Sequence, residues 1–254
     1  MRTLEGKVAL ITGSAVGLGR AIAVAFGSEG AKVVVNYSKS REEAETTTDL
    51  VKQAGAGSIS IQADVGKDVQ VRAMIAETLD RFGRIDVLVN NAGVIAVIPF
   101  SDLDALTDEV WDTQLNVHVK GTFYCSRAVA GPMREQGHGR IINIASVAGL
   151  WPHGSSIAYG TSKAALIHLS KCLARVLGPH IQVNVIAPGF VPDTRGNRSR
   201  PNPEMTRRRL IEESALKRVG TPEEIADVAL FLAGRGDFIT GAVIVVDGGR
   251  VFAS

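Results

Sequence analysis

The sequence is poor in cysteine and has no long uninterrupted apolar run. Its two cysteines, Cys125 and Cys172, are too few for a disulfide framework and are typical of a reducing compartment. The N-terminal residues lack the features of a signal peptide, and no apolar segment approaches the length of a membrane span. A formal net charge of +2 gives no basis for binding nucleic acid or an anionic membrane. We therefore expect a cytoplasmic protein with no nucleic-acid or membrane partner.

The sequence does contain a regular alternation of short β-branched segments and longer helical patterns. With 254 residues, 45% of them hydrophobic, the chain can bury a large core. Strands are predicted at 7–12, 32–37, 58–62, 85–90, 139–146, 181–188 and 242–248. Helices are predicted near 18–29, 41–54, 68–82, 107–133, 157–178 and 222–234. Because near-continuous apolar strands are typical of parallel sheets covered on both faces, this alternation predicts an α/β fold with a doubly wound parallel sheet.

A single domain spanning residues 1–254 is predicted, because no low-complexity linker divides the chain. The irregular stretch at 189–205 is rich in Pro, Gly, Arg and Asn and follows the sixth strand, where ligands bind in such folds. Long loops there are often lids, so we expect residues 189–215 to cover a substrate. The arginines of this region belong either to a solvated lid or to the site of an anionic substrate. They are Arg195, Arg198, Arg200, Arg207, Arg208 and Arg209.

Tyr159 and Lys163 lie at positions i and i+4 of a predicted helix, with only small residues between them. On a helix such residues share a face, so the phenol and the ammonium can meet. A nearby ammonium favours the phenolate form, which makes Tyr159 a candidate general acid or base. An isolated pair of this kind is more simply a surface tyrosine beside a solvated lysine, so the interpretation depends on the rest of the chain.

Glycines follow the first predicted strand in the segment Thr12–Gly19, and a helix opens at about Leu18. Such glycines let the backbone approach a pyrophosphate at the positive N-terminus of the helix. Polar or small residues also follow three later strands, at Asp64, at 90–93 and at 188–189. The Asp64 carboxylate suits an adenine amino group, and the small residues leave room for a cofactor. Each signal alone is also explained by turn chemistry, but together they predict a dinucleotide site.

Five motifs in this order resemble those of the short-chain dehydrogenase/reductase family. They are TGxxxGxG at 12–19, NNAG at 90–93, Ser146, YxxxK at 159–163 and PG at 188–189. The resemblance covers essentially the whole chain. It implies a three-layer, Rossmann-like domain with a seven-stranded parallel sheet, and NAD(P)-dependent interconversion of a secondary alcohol and a ketone. It also implies a homotetramer, or a homodimer, that acts on a small-molecule carbonyl or alcohol.

The resemblance also assigns roles to individual residues. Tyr159 is the implied acid/base, and Lys163 is its partner and a ligand of the nicotinamide ribose. Ser146 is implied to bind the substrate oxygen, and Asn116 to hold a water in a proton relay. The implied substrate pocket consists of Ser146, Trp151, His153 and Tyr159. The implied cofactor contacts are Gly13, Ser14, Gly17, Leu18, Gly19, Asn36, Tyr37, Ser38, Asp64, Val65, Asn91, Ala92, Gly93, Tyr159, Lys163, Pro188, Gly189 and Val191. The remaining histidines have no metal-ligand spacing, so no metal is expected.

The choice of cofactor depends on the residues after the second strand. NAD enzymes usually carry an acidic residue there, which binds the ribose hydroxyls. This chain has Asn36, Tyr37 and Ser38 instead, with Arg41 close by. Without a carboxylate the site would not repel a 2′-phosphate, and Ser38 and Arg41 are candidates to contact one. Many NADP-binding relatives have a basic residue where this chain has Val16. The missing carboxylate favours NADP(H), and the missing basic residue at Val16 keeps NAD(H) as the alternative.

Three other functions share parts of this pattern. A 3-oxoacyl-[acyl-carrier-protein] reductase uses the same chemistry, although residues 94–98 are apolar here and commonly polar or basic in such reductases. Epimerases and dehydratases built on the Tyr–Lys pair usually have a longer C-terminal substrate domain. Non-catalytic dinucleotide-sensing regulators tend to lose the Tyr, Lys or Ser, and this chain keeps all three.

Two predicted helices, near 107–133 and 157–178, carry more apolar and small residues than one buried face requires. This excess predicts a subunit interface. The seventh strand is predicted to lie at a sheet edge near a second interface. The interface candidates on the helices are Val117, Val119, Phe123, Ala164, Leu166 and Leu169.

Overall fold

Seven parallel strands form one sheet in the computed structural model, which describes residues 2–192 and 203–250. The strands are β1 (Val8–Ile11), β2 (Lys32–Tyr37), β3 (Ser58–Gln62), β4 (Val87–Asn90), β5 (Gly139–Ile144), β6 (Ile181–Pro188) and β7 (Val243–Val246). Their order across the sheet is β3-β2-β1-β4-β5-β6-β7, and every neighbouring pair is parallel. The carboxyl ends of all these strands therefore lie on the same side. The strand order reverses between β1 and β4, which is where such folds form a ligand crevice.

Helices connect the strands and cover both faces of the sheet. They are α1 (Gly17–Ser28), α2 (Arg41–Gln53), α3 (Asp68–Phe82), α4 (Asp108–Leu115), α5 (Thr122–Glu135), α6 (Ile157–Leu177), α7 (Pro203–Glu213) and α8 (Pro222–Gly234). Successive residues of a strand point to opposite faces, so Ala9 and Ile11 pack with α1 and α8, and Leu10 packs with α3 and α5. This three-layer, doubly wound arrangement confirms the predicted fold class. Within the two described ranges, no helix has the length and apolarity needed to cross a bilayer.

The predicted elements differ from the observed ones mainly in two helical segments. The helix predicted at 107–133 consists of α4, a π-helical turn (Asn116–Gly121) and α5. Because a π turn bonds residue i to residue i+5, it changes the phase of the helix at this point. Helix α7 lies partly in the stretch predicted to be irregular, where Pro203 at its start and its six Arg and Glu residues gave no clear apolar pattern in the sequence. Residues 193–202, with three of the predicted arginines, lie outside the described residues.

Candidate active site

A cleft of about 810 Å³ opens at the carboxyl ends of the strands and contains most of the predicted site residues. The predicted residues that line it are Gly13, Gly17, Leu18, Asn36, Tyr37, Ser38, Asp64, Val65, Asn91, Ala92, Gly93, Ser146, His153, Tyr159, Lys163, Pro188, Gly189 and Val191. Four predicted residues do not line it, namely Ser14, Gly19, Asn116 and Trp151. Motifs that are far apart in the sequence therefore converge in space, because each follows a strand of the same parallel sheet.

Ser14 and Gly19 support the glycine-rich loop and do not face the cleft. The buried Ser14 hydroxyl donates to a carbonyl of β1 at 2.7 Å. A Cβ atom at Gly19 would lie 2.5 Å from Asn91 Nδ2 and 2.7 Å from Gly13 O, so glycine is required for α1 to pack under the loop. Gly13 and Gly17 have φ angles of 62° and 60°, in the left-handed region that favours glycine.

Asn36 lies at the cleft wall, but its side chain is bonded to protein backbone. Its Oδ1 accepts from Gly13 N–H at 3.1 Å, and its Nδ2 donates to Ala63 O at 3.0 Å. The residue is only 1% exposed. These contacts join the glycine-rich loop to β2 and β3. They leave the predicted role of Asn36 as a ribose ligand without support.

The residues after Asn36 follow the same end of the cleft. Tyr37 is buried, whereas Ser38 and Lys39 are exposed, and all of them line the cleft. Arg41, expected to contact a 2′-phosphate, does not line the cleft and pairs with Glu45 at 2.9 Å. Lys39 follows Ser38 and lines this end of the cleft, whereas the sequence had suggested Ser38 and Arg41 as the phosphate contacts.

Thr12 and Asn91 join the loops that follow β1 and β4. The Asn91 Nδ2 donates to Thr12 O at 2.9 Å and to Gly13 O at 3.0 Å. The Thr12 hydroxyl in turn accepts from the backbone N–H groups of Asn91 and Ala92, both at 3.0 Å. The two loops are therefore held together at the crevice where the strand order reverses.

Helix α6 places Tyr159 and Lys163 one turn apart at the cleft. The helix begins after Ser156, whose Oγ accepts from Tyr159 N–H at 3.1 Å and caps the first turn. Lys163 Nζ lies 5.8 Å from the centroid of the Tyr159 ring and donates to Ile144 O at 2.9 Å. The ring and the ammonium thus lie on one helix face, as their spacing predicts.

Burial of Lys163 lowers its pKa to about 7. The residue is 5% exposed, and desolvation is the cause of the shift. Removing an ammonium from water costs free energy unless an anion lies close to it. The site therefore holds a lysine that is partly neutral near pH 7, and its protonated form would be stabilised by an anion formed beside it.

Ser146 follows β5 and begins a short 3-10 helix (Val147–Gly149). Its Oγ accepts from Ala148 N–H at 3.2 Å, which orients the hydroxyl at the cleft. A Cβ atom at Gly149 would lie 2.7 Å from the carbonyl carbon of Lys163. The turn that carries Ser146 is therefore in direct backbone contact with the helix that carries Lys163.

His118 lies at the cleft between Val94 and Tyr159, and the sequence analysis did not select it. The residue is 1% exposed, and its ring meets the Tyr159 ring edge-on, with centroids 5.6 Å apart. Val94 N–H donates to His118 Nε2 at 3.1 Å. The Nδ1 nitrogen must then carry the hydrogen and donate to Ser162 Oγ at 2.8 Å, and Ser162 donates to Tyr159 O at 2.7 Å.

His118 is held in its neutral form. Burial, and secondly the charge of Lys163, keep the pKa of His118 well below its usual value. A protonated imidazole would also lose the hydrogen bond that Val94 N–H donates to its Nε2. This histidine therefore acts as a fixed link between the loop after β4 and the first turns of α6.

Asn116, predicted to hold a relay water, lies away from the cleft. A Cβ atom on Gly66 would lie 2.3 Å from the Asn116 Nδ2, so this side chain packs against the loop after β3. The structure buries His118 and leaves Asn116 partly exposed. The buried residues of this region recur at helical spacing, and His118 belongs to that series whereas Asn116 does not. The series is Gln114, His118, Thr122, Cys125, Val129 and Met133.

Two residues of the predicted substrate pocket, Trp151 and His153, lie differently with respect to the cleft. Trp151 is half-buried and does not line the cleft, and its backbone N–H donates to Val147 O at 3.1 Å. His153 is exposed and lines the cleft as predicted. Lining residues that the sequence analysis missed come from the loop after β4, the loop after β6, α7 and the end of β7. They include Val94, Ile95, Phe190, Thr206, Leu210 and Arg250.

Known proteins resemble this chain over nearly its whole length. A family model described as Enoyl-(Acyl carrier protein) reductase matches residues 13–250. The chain is 39% identical to a (2S)-[(R)-hydroxy(phenyl)methyl]succinyl-CoA dehydrogenase subunit of Thauera aromatica, covering 97% of each protein. It is 37% identical to a 3-oxoacyl-[acyl-carrier-protein] reductase of Staphylococcus epidermidis, covering 96% of this chain and 98% of that one.

A solved structure shows the same likeness in three dimensions. A gluconate 5-dehydrogenase from Burkholderia cenocepacia, in complex with NADP and tartrate, superposes with a TM-score of 0.92 at 35% identity. The match covers 100% of this chain and 98% of that one. The chain therefore belongs to the short-chain dehydrogenase/reductase family of Rossmann-fold, NAD(P)-dependent oxidoreductases.

Proposed function

We propose that this enzyme interconverts a secondary alcohol and a ketone of a small molecule, with Tyr159 as the acid/base. The observation that carries the proposal is the buried Lys163 ammonium beside the Tyr159 ring, at a cleft that Ser146 also lines. Hydride transfer at a carbinol carbon requires proton transfer at its oxygen. A phenol next to a buried cation is suited to that exchange.

The glycine-rich loop fits a nucleotide pyrophosphate. A Cβ atom at Gly13 would lie 2.7 Å from Ala92 Cα, so only glycine lets the loops after β1 and β4 meet this closely. Helix α1 begins at Gly17, with the positive end of its dipole at this loop. Asp64, after β3, is suited to accept a hydrogen bond from the adenine amino group. When bound, NAD(P)(H) supplies or accepts the hydride.

The protein side chains handle the proton. In reduction, Tyr159 donates its phenolic proton to the carbonyl oxygen, and the resulting phenolate is stabilised by the Lys163 ammonium. Because burial lowers the pKa of Lys163 to about 7, an adjacent phenolate increases the protonated fraction of Lys163. Ser146, which accepts from Ala148 N–H, is oriented to donate its own hydrogen to the substrate oxygen.

The cofactor preference is assigned to NADP(H). Ser38 and Lys39 line the cleft directly after β2, and no carboxylate follows β2 before Arg41. An ammonium attracts a 2′-phosphate, whereas an NAD site usually presents a carboxylate to the ribose. The Burkholderia gluconate 5-dehydrogenase, which contains NADP, is consistent with this preference. NAD(H) is the alternative.

A second candidate is reduction of a 3-oxoacyl thioester. The 37% identity to a 3-oxoacyl-[acyl-carrier-protein] reductase favours it. The residues after the NNAG motif argue against a carrier protein as the partner, because 94–98 are apolar where a protein with an acidic surface would need basic contacts. Activity with a carrier-protein thioester in preference to every free ketone would support this second candidate.

We also assign a homotetramer, built from contacts of α5, α6 and β7. Phe123 on α5 is 37% exposed and Val176 on α6 is 62% exposed, and β7 is the last strand of the sheet order. Exposed apolar residues on neighbouring helices favour a partner subunit. Leu166, a predicted interface residue, is 1% exposed and belongs to the core of its own subunit.

Tyr159→Phe should lower kcat/KM by about 10³-fold or more, because it removes the exchangeable proton and keeps the ring. Binding of NADPH, measured by fluorescence titration, should stay within about threefold of the wild-type value, since the phenol is not the main anchor of the nucleotide. Tyr124→Phe, on α5, is the matched control. Wild-type turnover in the Tyr159→Phe enzyme would contradict the mechanism.

Lys163→Met should flatten the dependence of apoprotein stability on pH. The pKa of Lys163 is about 7 in the folded state and near 10.5 when unfolded, so between these values only the unfolded state binds the proton. The free energy of unfolding therefore rises with pH in this window, by up to about 1.4 kcal/mol per pH unit. Methionine does not titrate and removes this rise.

Urea unfolding of the apoprotein at several pH values from 7 to 9.5 measures the effect on stability. Lys171→Met, which removes an exposed lysine from the same helix, is the control and should keep the wild-type slope. Parallel curves for wild type and Lys163→Met would show that Lys163 is not a desolvated ammonium.

Lys39→Ala should raise KM for NADPH by about tenfold and leave KM for NADH nearly unchanged, because only NADPH has the 2′-phosphate. Steady-state kinetics with both cofactors measures this difference. Lys52→Ala removes an exposed lysine at the end of α2, outside the cleft, and is the control. Equal effects of Lys39→Ala on the two cofactors would rule out a phosphate contact.

Light scattering at micromolar concentration should give a mass near four times 26.9 kDa. Val176→Glu should reduce this mass, because a carboxylate in an apolar interface is costly to desolvate. Val69→Glu changes a more exposed apolar residue, on α3, and should leave the mass unchanged. A wild-type mass near 26.9 kDa would refute the assembly.

A further inference from the structure

We infer that Arg250 and Arg209 form an anion subsite at the substrate end of the cleft, so that the substrate carries a carboxylate or phosphate group in addition to its carbonyl. This inference rests on the proposed oxidoreductase function and specifies its substrate class. Both arginines line the same cleft as Ser146 and Tyr159.

A turn after β7, fixed by hydrogen bonds, places Arg250 at the cleft. After β7, Gly248 and Gly249 have φ angles of 67° and 76°, and these two left-handed residues reverse the chain. Gly248 O accepts from Leu216 N–H and from the Ser214 hydroxyl, both at 3.0 Å. The turn is thereby fixed against the segment that follows α7.

The side chain of Arg250 is also fixed, by a salt bridge. Arg250 Nε donates to Glu213 Oε2 at 2.8 Å, and its side chain is 15% exposed. Arg209 lies one helical turn before Glu213, with its Nε 3.5 Å from Glu213 Oε1. One carboxylate therefore lies between two guanidinium groups, which leaves a net positive charge at this wall. Guanidinium groups bind carboxylates and phosphates through paired hydrogen bonds.

The position of the two arginines in the cleft indicates that they face the substrate and not the cofactor pyrophosphate. Among the residues described by the structure, Asp64 is the one carboxylate that lines the cleft. Asp64 follows β3 at one lateral edge of the sheet, whereas Arg250 follows β7 at the opposite edge. The glycine-rich loop, which is suited to the cofactor pyrophosphate, follows β1, and β1 lies four strands away from β7 in the sheet. An anion near Arg250 is therefore assigned to the substrate.

The surroundings of the arginines strengthen such a contact. Apolar side chains from the loop after β4 and from α7, including Val94, Ile95 and Leu210, line the cleft with them. Apolar walls lower the local dielectric constant, so an attraction between the largely buried Arg250 guanidinium and an anion is stronger there than at an open surface; the Arg209 side chain is 67% exposed and adds a weaker, solvent-screened attraction. The site thus combines an apolar wall, a proton donor and a cationic end.

Matched substrate pairs test the inference and separate the two sources of the anion. One pair is a 3-oxo acid and its methyl ester, and the other is acetoacetyl-CoA and the neutral acetoacetyl-N-acetylcysteamine thioester. Arg250→Ala should raise KM for at least one charged member by about tenfold or more and change its neutral partner by less than about twofold. The pair whose charged member is affected shows whether the anionic group of the substrate is a carboxylate or a phosphate. Arg250→Lys should restore part of the loss, and Arg235→Ala, an exposed arginine outside the cleft, should have no effect.

Glu213→Gln gives a second test that is independent of the folding of the Arg250 variant. Removing the competing carboxylate should lower KM for the charged substrate by about threefold or more, whereas loss of a merely structural contact would raise KM for both members of a pair. Equal losses on charged and neutral substrates in Arg250→Ala, or a matching loss of NADPH affinity, would overturn the inference. Calorimetric titration with the 3-oxo acid and its ester tests the subsite independently of turnover, and equal affinities of the wild-type enzyme for the two compounds would also overturn the inference.

Discussion

Backbone N–H and C=O groups just beyond the strands lie in a buried region and need hydrogen-bond partners, while the cleft above them must stay open. Side chains provide those partners from inside the protein. Asn36 bonds the backbone of Gly13 and Ala63, and Asn91 bonds that of Thr12 and Gly13. Because these side-chain amides bond the loop backbone from the protein interior, the surface of the loops that faces the cleft remains available to a nucleotide. The binding site depends on this internal bonding before any ligand contact is made.

Internal hydrogen bonds and burial also set the charge states of the basic groups beside Tyr159 on α6. Lys163 donates to the last carbonyl of β5, and its burial there, which removes the ammonium from water, lowers its pKa to about 7. His118 is buried as well, but its two ring nitrogens are both used and it stays neutral. Of these two basic groups beside Tyr159, only Lys163 is therefore able to carry charge near neutral pH. Proton exchange and stabilisation of charge are assigned to different residues because their surroundings differ.

Features set by local residue pattern could be predicted from the sequence. The seven strands, the glycine-rich loop and the Tyr159–Lys163 pair depend on periodicity and spacing, and all are found where expected. Features set by contacts between residues that are distant in the sequence could not be predicted from it. The inward bonding of Asn36 depends on β3, which is distant in the sequence, and the π-helical turn that begins at Asn116 has no local marker. The family resemblance selected Asn116, whereas the contacts of the buried His118 ring depend on Val94 and Ser162, which lie far from it in the sequence.

The contact between Gly149 and α6 has a consequence for how the enzyme can evolve. The turn that carries Ser146 touches the backbone of the helix at Lys163, with no side chain between them to be exchanged. Substitutions elsewhere can therefore alter the shape of the cleft without altering the spacing of Ser146 and Lys163. Variation in substrate is expected in the loop after β4, in α7 and in the turn after β7, whose side chains also line the cleft. Natural or laboratory selection can change what this enzyme accepts there, while the close contact at Gly149 keeps the spacing of Ser146 and Lys163 constant.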